Sequence, residues 1–136
     1  MENHETSNSE EMMAKFGMIE QQIRQIHQQL EIIERNIIEM NSLSIGLDEL
    51  KGSVGKEMFS PIGKGIFVKA KIISDELNVD IGNGNFVKKS IEGTKELIGE
   101  QIKKLEKAQD ELNNTLQVIN EEITRSIIKS QKNSEN

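Results

Sequence analysis

The sequence predicts a mainly α protein, in which two long helices pair as an antiparallel coiled coil and two β-hairpins lie between them. Along both flanks of the chain, apolar residues recur at alternating spacings of four and three, which is typical of coiled-coil helices. Seven of the ten glycines lie in the middle, from Gly46 to Gly84. In that middle region, short segments alternate apolar and polar residues as half-buried strands do.

The composition argues against a globular enzyme. Of the 136 residues, 35% are hydrophobic and 3% are aromatic, with no Trp or Tyr. An ordinary globular domain has roughly 45–50% apolar residues, so this chain has little surface for a compact core or an enclosed pocket. Because the chain has no Cys, disulfides, thiolate chemistry and Cys-based zinc sites are excluded.

The charge and the hydropathy of the chain restrict its partners and its location. A net charge of −6 repels nucleic acid and anionic membrane surfaces on average. No apolar run approaches the roughly 18 residues of a membrane span, and the N-terminus lacks the basic start and apolar middle of a signal peptide. We therefore expect a cytoplasmic protein that binds neither nucleic acid nor membrane.

The N-terminal helix is predicted over residues 10–51, after a polar and mobile tail of residues 1–9. After Met40 the pattern shifts to Leu43, which indicates an extra step of three, a stammer, before the helix ends at Gly52. The apolar positions of this heptad seam are Met12, Phe16, Ile19, Ile23, Ile26, Leu30, Ile33, Ile37 and Met40, followed by Leu43, Leu47 and Leu50.

The C-terminal helix is predicted over residues 91–130, with a second mobile tail over residues 131–136. Ser90 is a suitable N-cap, and Glu92 lies near the positive end of the helix dipole. Two helices of similar length joined by a short middle region fold back most simply as an antiparallel pair. The seam positions of this second helix are Ile98, Ile102, Leu105, Gln109, Leu112, Leu116, Ile119, Ile123 and Ser126.

The middle region, residues 56–89, is predicted to form two β-hairpins. The turn sequences "GKG" and "GNG" contain glycines that can take a positive φ, as tight hairpin turns require. Pro61 cannot donate to a strand ladder, so its strand is expected to be an edge or to be bulged there. The four predicted strands are Glu57–Ile62, Ile66–Ile73, Leu77–Ile81 and Asn85–Lys89.

Each predicted hairpin has one apolar side, because residues such as Ile66 and Val68 alternate with Lys69 and Lys71. Four short strands cannot close a barrel by themselves, and a lone hairpin is only marginally stable. Their apolar sides and free edges therefore predict assembly with sheets of other chains. The residues predicted to make this subunit interface are Phe59, Ile62, Ile66, Val68, Ile72, Val79, Ile81 and Phe86.

The stretch "SPIGKGIFVKAKI" followed by "NVDIGNGNFVKKS", set between two heptad helices, resembles the α-type subunit of prefoldin. The pair of glycine-turned hairpins is the most specific part of the resemblance, because β-type subunits of this chaperone family carry only one. The resemblance covers the chain from Met12 to Ile128. It implies a hexamer of two α-type and four β-type subunits, joined through an oligomeric β-barrel. It also implies that coiled-coil tips hold unfolded proteins and deliver them to a group II chaperonin without nucleotide hydrolysis.

An apolar cluster near the chain ends is the candidate client-binding surface. Met13 and Met18 are not needed for the heptad seam, and flexible methionine side chains suit binding without sequence preference. An ordinary seam end with two stray methionines is the alternative interpretation. A structural or scaffolding role, as in a filament-forming prefoldin paralogue, is the alternative for the whole protein. The predicted client-binding residues are Met12, Met13, Phe16, Met18, Ile19, Ile123, Ile127 and Ile128.

Other patterns in the sequence do not indicate a catalytic or metal site. The glycines of "GKG" and "GNGN" precede strands, whereas a phosphate-binding loop is followed by a helix N-terminus. His4 and His27 have no convincing second ligand at helical spacing. The carboxylates fall on the solvated faces of the helices. We therefore expect no catalytic residue, no cofactor and no metal.

Overall fold

The computed structural model describes the backbone of residues 2–135 and the side chains of residues 8–132. Two long helices pack antiparallel with two β-hairpins between them, which confirms the predicted fold of the chain. The chain forms two compact units, one of residues 1–36 and 105–136 and the other of residues 37–104. The elements are α1 (Glu2–Glu49), β1 (Glu57–Gly63), β2 (Ile66–Lys71), β3 (Leu77–Asp80), β4 (Phe86–Lys89) and α2 (Ile91–Glu135).

The first unit consists of paired helical segments from the two ends of the chain. Ile26 of α1 and Ile119 of α2 are buried, and the other heptad positions beyond Met12 are half-buried. The outward positions are mainly Gln, Glu, Asn and Lys, of which Gln, Glu and Lys are good helix formers. The predicted seam is therefore present in this unit. Its half-buried members are Phe16, Ile19, Ile23, Leu30, Ile33, Leu105, Gln109, Leu112, Leu116, Ile123 and Ser126.

The second unit corrects one detail of the predicted seam. The spacing of four and three continues from Met40 through Ser44 to Leu47, and Ser44 is half-buried. Leu43 instead points away from the seam and is 53% exposed. The predicted stammer is therefore wrong, because the helix keeps its heptad frame by placing a small polar residue in the seam.

The ends of the two helices near the hairpins have defined caps. α1 ends at Glu49, two residues before the predicted end at residue 51, and Gly52 follows with a left-handed φ of 71°. α2 begins after Ser90, whose Oγ accepts a hydrogen bond of 3.0 Å from the Gly93 N–H. The predicted N-cap is confirmed. Glu92 is in the first turn of α2, where it is near the positive end of the helix dipole.

The helices extend further than predicted at the two chain ends. α1 already begins at Glu2 and α2 continues to Glu135, whereas the sequence predicted helix only over residues 10–51 and 91–130. Most of each predicted tail, residues 1–9 and 131–136, is thus helical. Met1 and Asn136 lie outside the described residues, as do the side chains of residues 1–7 and 133–136. The mobility of the two tails stays a prediction.

The first hairpin pairs β1 with β2 in an antiparallel two-stranded sheet. Its connection is the two-residue loop Lys64–Gly65, shorter than the three-residue turn predicted, and both residues have positive φ. Such a loop matches the right-handed twist of the strands. The pairing register shifts between Pro61 and Gly63. This bulge lies where Pro61 led us to expect an edge or a bulge.

The second hairpin pairs β3 with β4 in a separate two-stranded sheet. At the start of its turn, the Gly82 N–H donates a hydrogen bond of 2.8 Å to the Asp80 carboxylate. Leu77 of β3 packs against the buried cluster of Leu47, Ile91 and Ile98. This hairpin is therefore attached to the hydrophobic core of its own unit.

Candidate functional site

The strand register of the first hairpin separates its side chains into two faces. Residues directly opposite one another in an antiparallel pair share a face, and neighbours along a strand alternate. Met58 lies opposite Ala70 and Ser60 lies opposite Val68. We call this side, which also includes Ile66, the apolar face. We call the other side, formed by Glu57, Phe59, Pro61, Phe67, Lys69 and Lys71, the charged face.

The register corrects the expectation that each hairpin has only one apolar side. Phe59 is opposite Lys69, and Phe67 is opposite Pro61, so both rings lie on the charged face. The alternation within β2 identified the lysines of this face, but the position of Phe59 depends on pairing between strands. Phe59 and Val68, both predicted for subunit assembly, therefore lie on opposite faces of the hairpin.

The other predicted interface residues of the first hairpin differ in exposure. Ile66 and Val68 are exposed on the apolar face, and Ile62 is exposed at the bulge. Ile72 follows β2 and is half-buried, with its N–H bonded at 2.9 Å to the Lys56 carbonyl. Among the residues that the structure describes, none covers the apolar face, since Met58, Ile66 and Val68 are all exposed.

The second hairpin also separates its predicted interface residues. Val79 lies opposite Val87 on the face that contains Leu77, and this face is half-buried. Phe86 lies opposite Asp80 on the other face and is exposed. Ile81 is exposed and leads into the turn, where its N–H donates to the Asn85 carbonyl. Val79 therefore belongs to the side attached to the chain's own core, whereas Ile81 and Phe86 are free of it.

The predicted client-binding cluster lies in the first unit. Met13 and Met18 are 72% and 73% exposed, so they lie outside the seam. Met12, Ile127 and Ile128 are also exposed, whereas the seam residues Phe16, Ile19 and Ile123 are half-buried. The structure therefore places an exposed apolar set beside a half-buried one. We call the eight residues together the apolar tip.

The residues that α1 contributes to the apolar tip lie beside those that α2 contributes. Met12 and Lys15 of α1 line one shallow groove together with Ser126 and Lys129 of α2. This groove shows that the start of α1 lies beside the end of α2, as antiparallel pairing requires. The structure thus brings the two sequence-distant halves of the predicted cluster together.

The sequence interpretation missed a set of outward apolar residues along the helices. Ile32, Ile38 and Ile45 of α1 and Val118 of α2 are exposed outside the seam. The doublets Ile32–Ile33 and Ile37–Ile38 carried a signal, because a heptad seam uses only one residue of each doublet. These exposed residues show that outward apolar side chains are not confined to the apolar tip.

Four charged side chains link the C-terminal end of α1 with the N-terminal end of α2 in the second unit. Lys95 Nζ is 2.7 Å from Asp48 Oδ1, and Lys51 Nζ is 3.3 Å from the same oxygen. Lys51 also pairs with Glu92. Hydrogen bonds from Lys95 and Lys51 lower the pKa of Asp48, and the bond from Lys51 lowers that of Glu92. The bonds to Glu92 and Asp48 raise the pKa of Lys51.

Neither a metal cluster nor a membrane span is found in the part of the chain that the structure describes. Among these residues, no group of three or more His, Cys, Asp or Glu side chains is placed to hold a metal ion. Neither described helix has an apolar stretch long enough to cross a membrane. His27 is an exposed residue of α1, and the His4 side chain lies outside the described side chains.

Known proteins share both the sequence pattern and the fold. The family model for prefoldin subunits matches residues 19–135. Prefoldin subunit alpha of Methanobrevibacter smithii is 34% identical over 112 residues, which cover 82% of this chain and 77% of the relative. Prefoldin subunit alpha 1 of Thermococcus kodakarensis is 31% identical over 102 residues, which cover 73% of this chain and 69% of the relative.

A solved structure has the same fold at lower identity. It is a cryo-electron microscopy structure of filamentous PFD from Methanocaldococcus jannaschii, with a TM-score of 0.75 and 21% identity. The match covers 82% of this chain and 94% of the other. Prefoldin subunits act as chaperones and are not enzymes, which confirms the expectation of a non-enzymatic protein. The matched residues and the two relatives show that this chain belongs to the prefoldin alpha subunit family.

Proposed function

We propose that this chain is the α-type subunit of an ATP-independent holdase, which captures unfolded proteins at the apolar tip and delivers them to a group II chaperonin. Membership of the prefoldin alpha family supports the chaperone role. The observation that carries the capture step is the exposure of Met13 and Met18, which the seam does not use. Because group II chaperonins act in the cytoplasm, we propose the same location for this subunit.

The chemistry of the apolar tip suits partners that share no sequence. Methionine side chains are unbranched and polarisable, so they re-pack around different apolar groups. Met13 and Met18 are available without breaking a packed core, since both are already exposed. Several weak tips in one complex bind a single unfolded chain more tightly than one tip does, because later contacts are intramolecular.

The hairpins supply the proposed assembly surface. A two-stranded sheet with an uncovered apolar face is marginally stable alone, and its strand edges are free to pair. We propose that Ile66 and Val68 of the apolar face, together with Ile72 directly after β2, enter a β-barrel shared with β-type subunits. The complex would contain two α-type and four β-type subunits. Native mass spectrometry of the reconstituted complex measures this composition directly.

The holdase proposal predicts that suppression of aggregation needs no ATP. The experiment adds the reconstituted complex to a chemically denatured test protein on dilution, with no chaperonin present, and follows light scattering. The same degree of suppression is expected with ATP, without ATP and with a non-hydrolysable analogue. A reproducible requirement for ATP hydrolysis would contradict the proposal.

A structural role is the second candidate function. It is supported by the similar fold of filamentous PFD from Methanocaldococcus jannaschii, at 21% identity. Electron microscopy of the chain alone and with its β-type partner separates the two functions. Closed particles of uniform mass that suppress aggregation support the holdase, whereas long filaments that do not suppress it support a scaffold.

A further inference from the structure

The charged face of the first hairpin carries an aromatic pair that the assembly role does not explain. Phe59 and Phe67 are 70% and 57% exposed. Because Phe59 lies opposite Lys69 and Phe67 lies opposite Pro61, the two rings are diagonal neighbours across the strand pair. Long and aromatic side chains reach one another at this diagonal spacing. The face therefore presents two exposed aromatic side chains at neighbouring positions between charged residues.

Closure of the sheet into a barrel leaves this pair uncovered. A barrel has one interior, and alternating residues of each strand point out of it. If Ile66 and Val68 enter the interior, then Phe59 and Phe67 lie on the outer surface of the finished complex. Adjacent exposed aromatic side chains on such a surface are typical of a second interaction site.

The charge around the pair indicates what kind of partner fits. Residues 56–89 contain six lysines and four acidic residues, a net charge of +2 in a chain whose total is −6. On the charged face, Lys69 Nζ is 3.0 Å from Glu57 Oε2, and Lys71 lies opposite the same glutamate. Lys64 in the hairpin loop adds a further positive charge. The hairpin from Glu57 to Lys71 thus contains one carboxylate and three lysines.

We propose that the charged face of the first hairpin is a docking site, on the assembled complex, for an acidic protein segment that carries apolar side chains. Apolar groups of that segment pack on the Phe59 and Phe67 rings, and its carboxylates pair with Lys64, Lys69 and Lys71. Nucleic acid is less suitable, because it carries a charge at every phosphate and is therefore repelled more strongly by the net negative charge of the chain than a short segment whose few carboxylates pair with these lysines. This inference rests on the proposed assembly role, since only an assembled barrel covers the apolar face.

The test uses the reconstituted complex and a fluorescein-labelled peptide of twelve alternating Glu and Leu residues. Two comparison probes are a Lys–Leu peptide of equal length and a thymidine oligonucleotide of twelve bases. The double variant Phe59→Ser, Phe67→Ser is compared with Ile38→Ser, Ile45→Ser, which removes two exposed apolar side chains from α1 instead. Fluorescence anisotropy gives the Kd, and native mass spectrometry reports whether each complex is intact.

The expected result is that the wild-type and Ile38→Ser, Ile45→Ser complexes bind the acidic peptide, and that loss of both rings weakens binding about tenfold or more. A Lys69→Gln, Lys71→Gln variant should bind more weakly and show a smaller dependence on salt. A Met13→Ser, Met18→Ser variant should bind the peptide normally, which separates this site from client capture.

Three results would contradict the proposal of a docking site. One is an unchanged Kd for the double phenylalanine variant. Another is binding of the Lys–Leu peptide or the oligonucleotide as tightly as the acidic peptide. The third is dissociation of the complex by the phenylalanine substitutions, which would place the rings in the subunit interface. Failure of the holdase proposal would appear separately, as a wild-type complex that does not suppress aggregation.

Discussion

The two compact units both expose apolar side chains, but they hold them in different frameworks. In the hairpins, Ile66 and Val68 stand at fixed positions of a strand ladder, and both side chains are branched. In the apolar tip, Met13 and Met18 extend from a helix on long, flexible side chains. A fixed array suits one partner of matching shape, whereas a flexible one suits many. The framework that holds an exposed side chain, rather than exposure itself, therefore indicates its role.

The largest expected effect comes from placing charge on the apolar face of the first hairpin and at Ile72, which directly follows β2. Val68→Asp with Ile72→Asp should abolish assembly with the β-type partner. An unpaired carboxylate buried in an interface costs about 3–5 kcal/mol, so two of them shift the equilibrium by several powers of ten. Size-exclusion chromatography with mass measurement detects free subunits in place of the complex.

A matched variant distinguishes loss of the interface from general misfolding. Val68→Thr with Ile72→Val keeps β-branched side chains at both positions and introduces no charge, so most of the complex should remain. The assignment of assembly to the apolar face fails if the doubly charged variant still forms the full complex.

The next effect tests the heptad frame of the second unit. Leu47 is buried and Leu43 is exposed, although both are leucines of the same helix. Leu47→Ala should lower the free energy of unfolding by about 2–4 kcal/mol, through lost burial and the cavity left behind. Leu43→Ala should change it by less than about 0.5 kcal/mol. Thermal unfolding of the complex, followed by circular dichroism, measures both changes. Equal losses of unfolding free energy would contradict the continuous heptad frame and support the stammer at Leu43.

The smallest expected effect concerns the charged link between α1 and α2. The pKa values of Asp48 and Glu92 are lowered by their lysine partners. The stabilisation from these carboxylates is therefore complete above their unfolded pKa values, near pH 4. This stabilisation is lost as the pH falls through the lower pKa values that the two carboxylates have in the folded state. The pKa of Lys51 is raised in the folded state, so the stabilisation from this lysine is complete below its unfolded pKa. It is lost as the pH rises through its folded pKa.

Neutral replacement tests this pH dependence. Asp48→Asn with Glu92→Gln should lower the Tm at pH 7, and the difference from the wild type should vanish in strong acid. Glu49→Gln with Glu96→Gln removes the same charge from positions outside the link and should leave the Tm at pH 7 unchanged. A constant Tm difference between neutral and acid pH would show that the link does not act through these ionised groups. The effect is small because the side chains are solvent-exposed.

Most of the fold was predictable because its determinants are local in sequence. The heptad spacing identified both helices, Ser90 identified the start of α2, and the glycine turns identified both hairpins. Leu43 was assigned wrongly because a leucine beside Ser44 looks like the better seam residue. The frame is set by the whole run of heptads, so the helix places Ser44 inward.

Which face of the hairpin each side chain occupies was harder to predict from the sequence. Which face Phe59 occupies depends on its partner in β2, and that register follows from the loop length and the bulge between Pro61 and Gly63. The two-residue loop was not the one predicted, but the bulge between Pro61 and Gly63 offsets the difference, so Phe59 pairs with Lys69 as it would in strands joined by a three-residue turn. At the apolar tip, exposure of Met13 and Met18 followed from their positions outside the seam, but client capture remains a proposal.

The central claim is that clients are captured by the apolar tip, and not by outward apolar residues in general. The most direct measurement compares two fourfold serine variants of the complex for binding of a labelled unfolded protein. One replaces exposed tip residues, and the other replaces exposed apolar residues elsewhere on the helices. The tip variant carries Met13→Ser, Met18→Ser, Ile127→Ser and Ile128→Ser, and the control carries Ile32→Ser, Ile38→Ser, Ile45→Ser and Val118→Ser.

Both variants should assemble fully, since neither changes the hairpins or the buried seam residues. The account predicts that the tip variant loses most client binding and suppression of aggregation, while the control binds as the wild type does. Equal binding by a fully assembled tip variant, or an equal loss in the control, would contradict it.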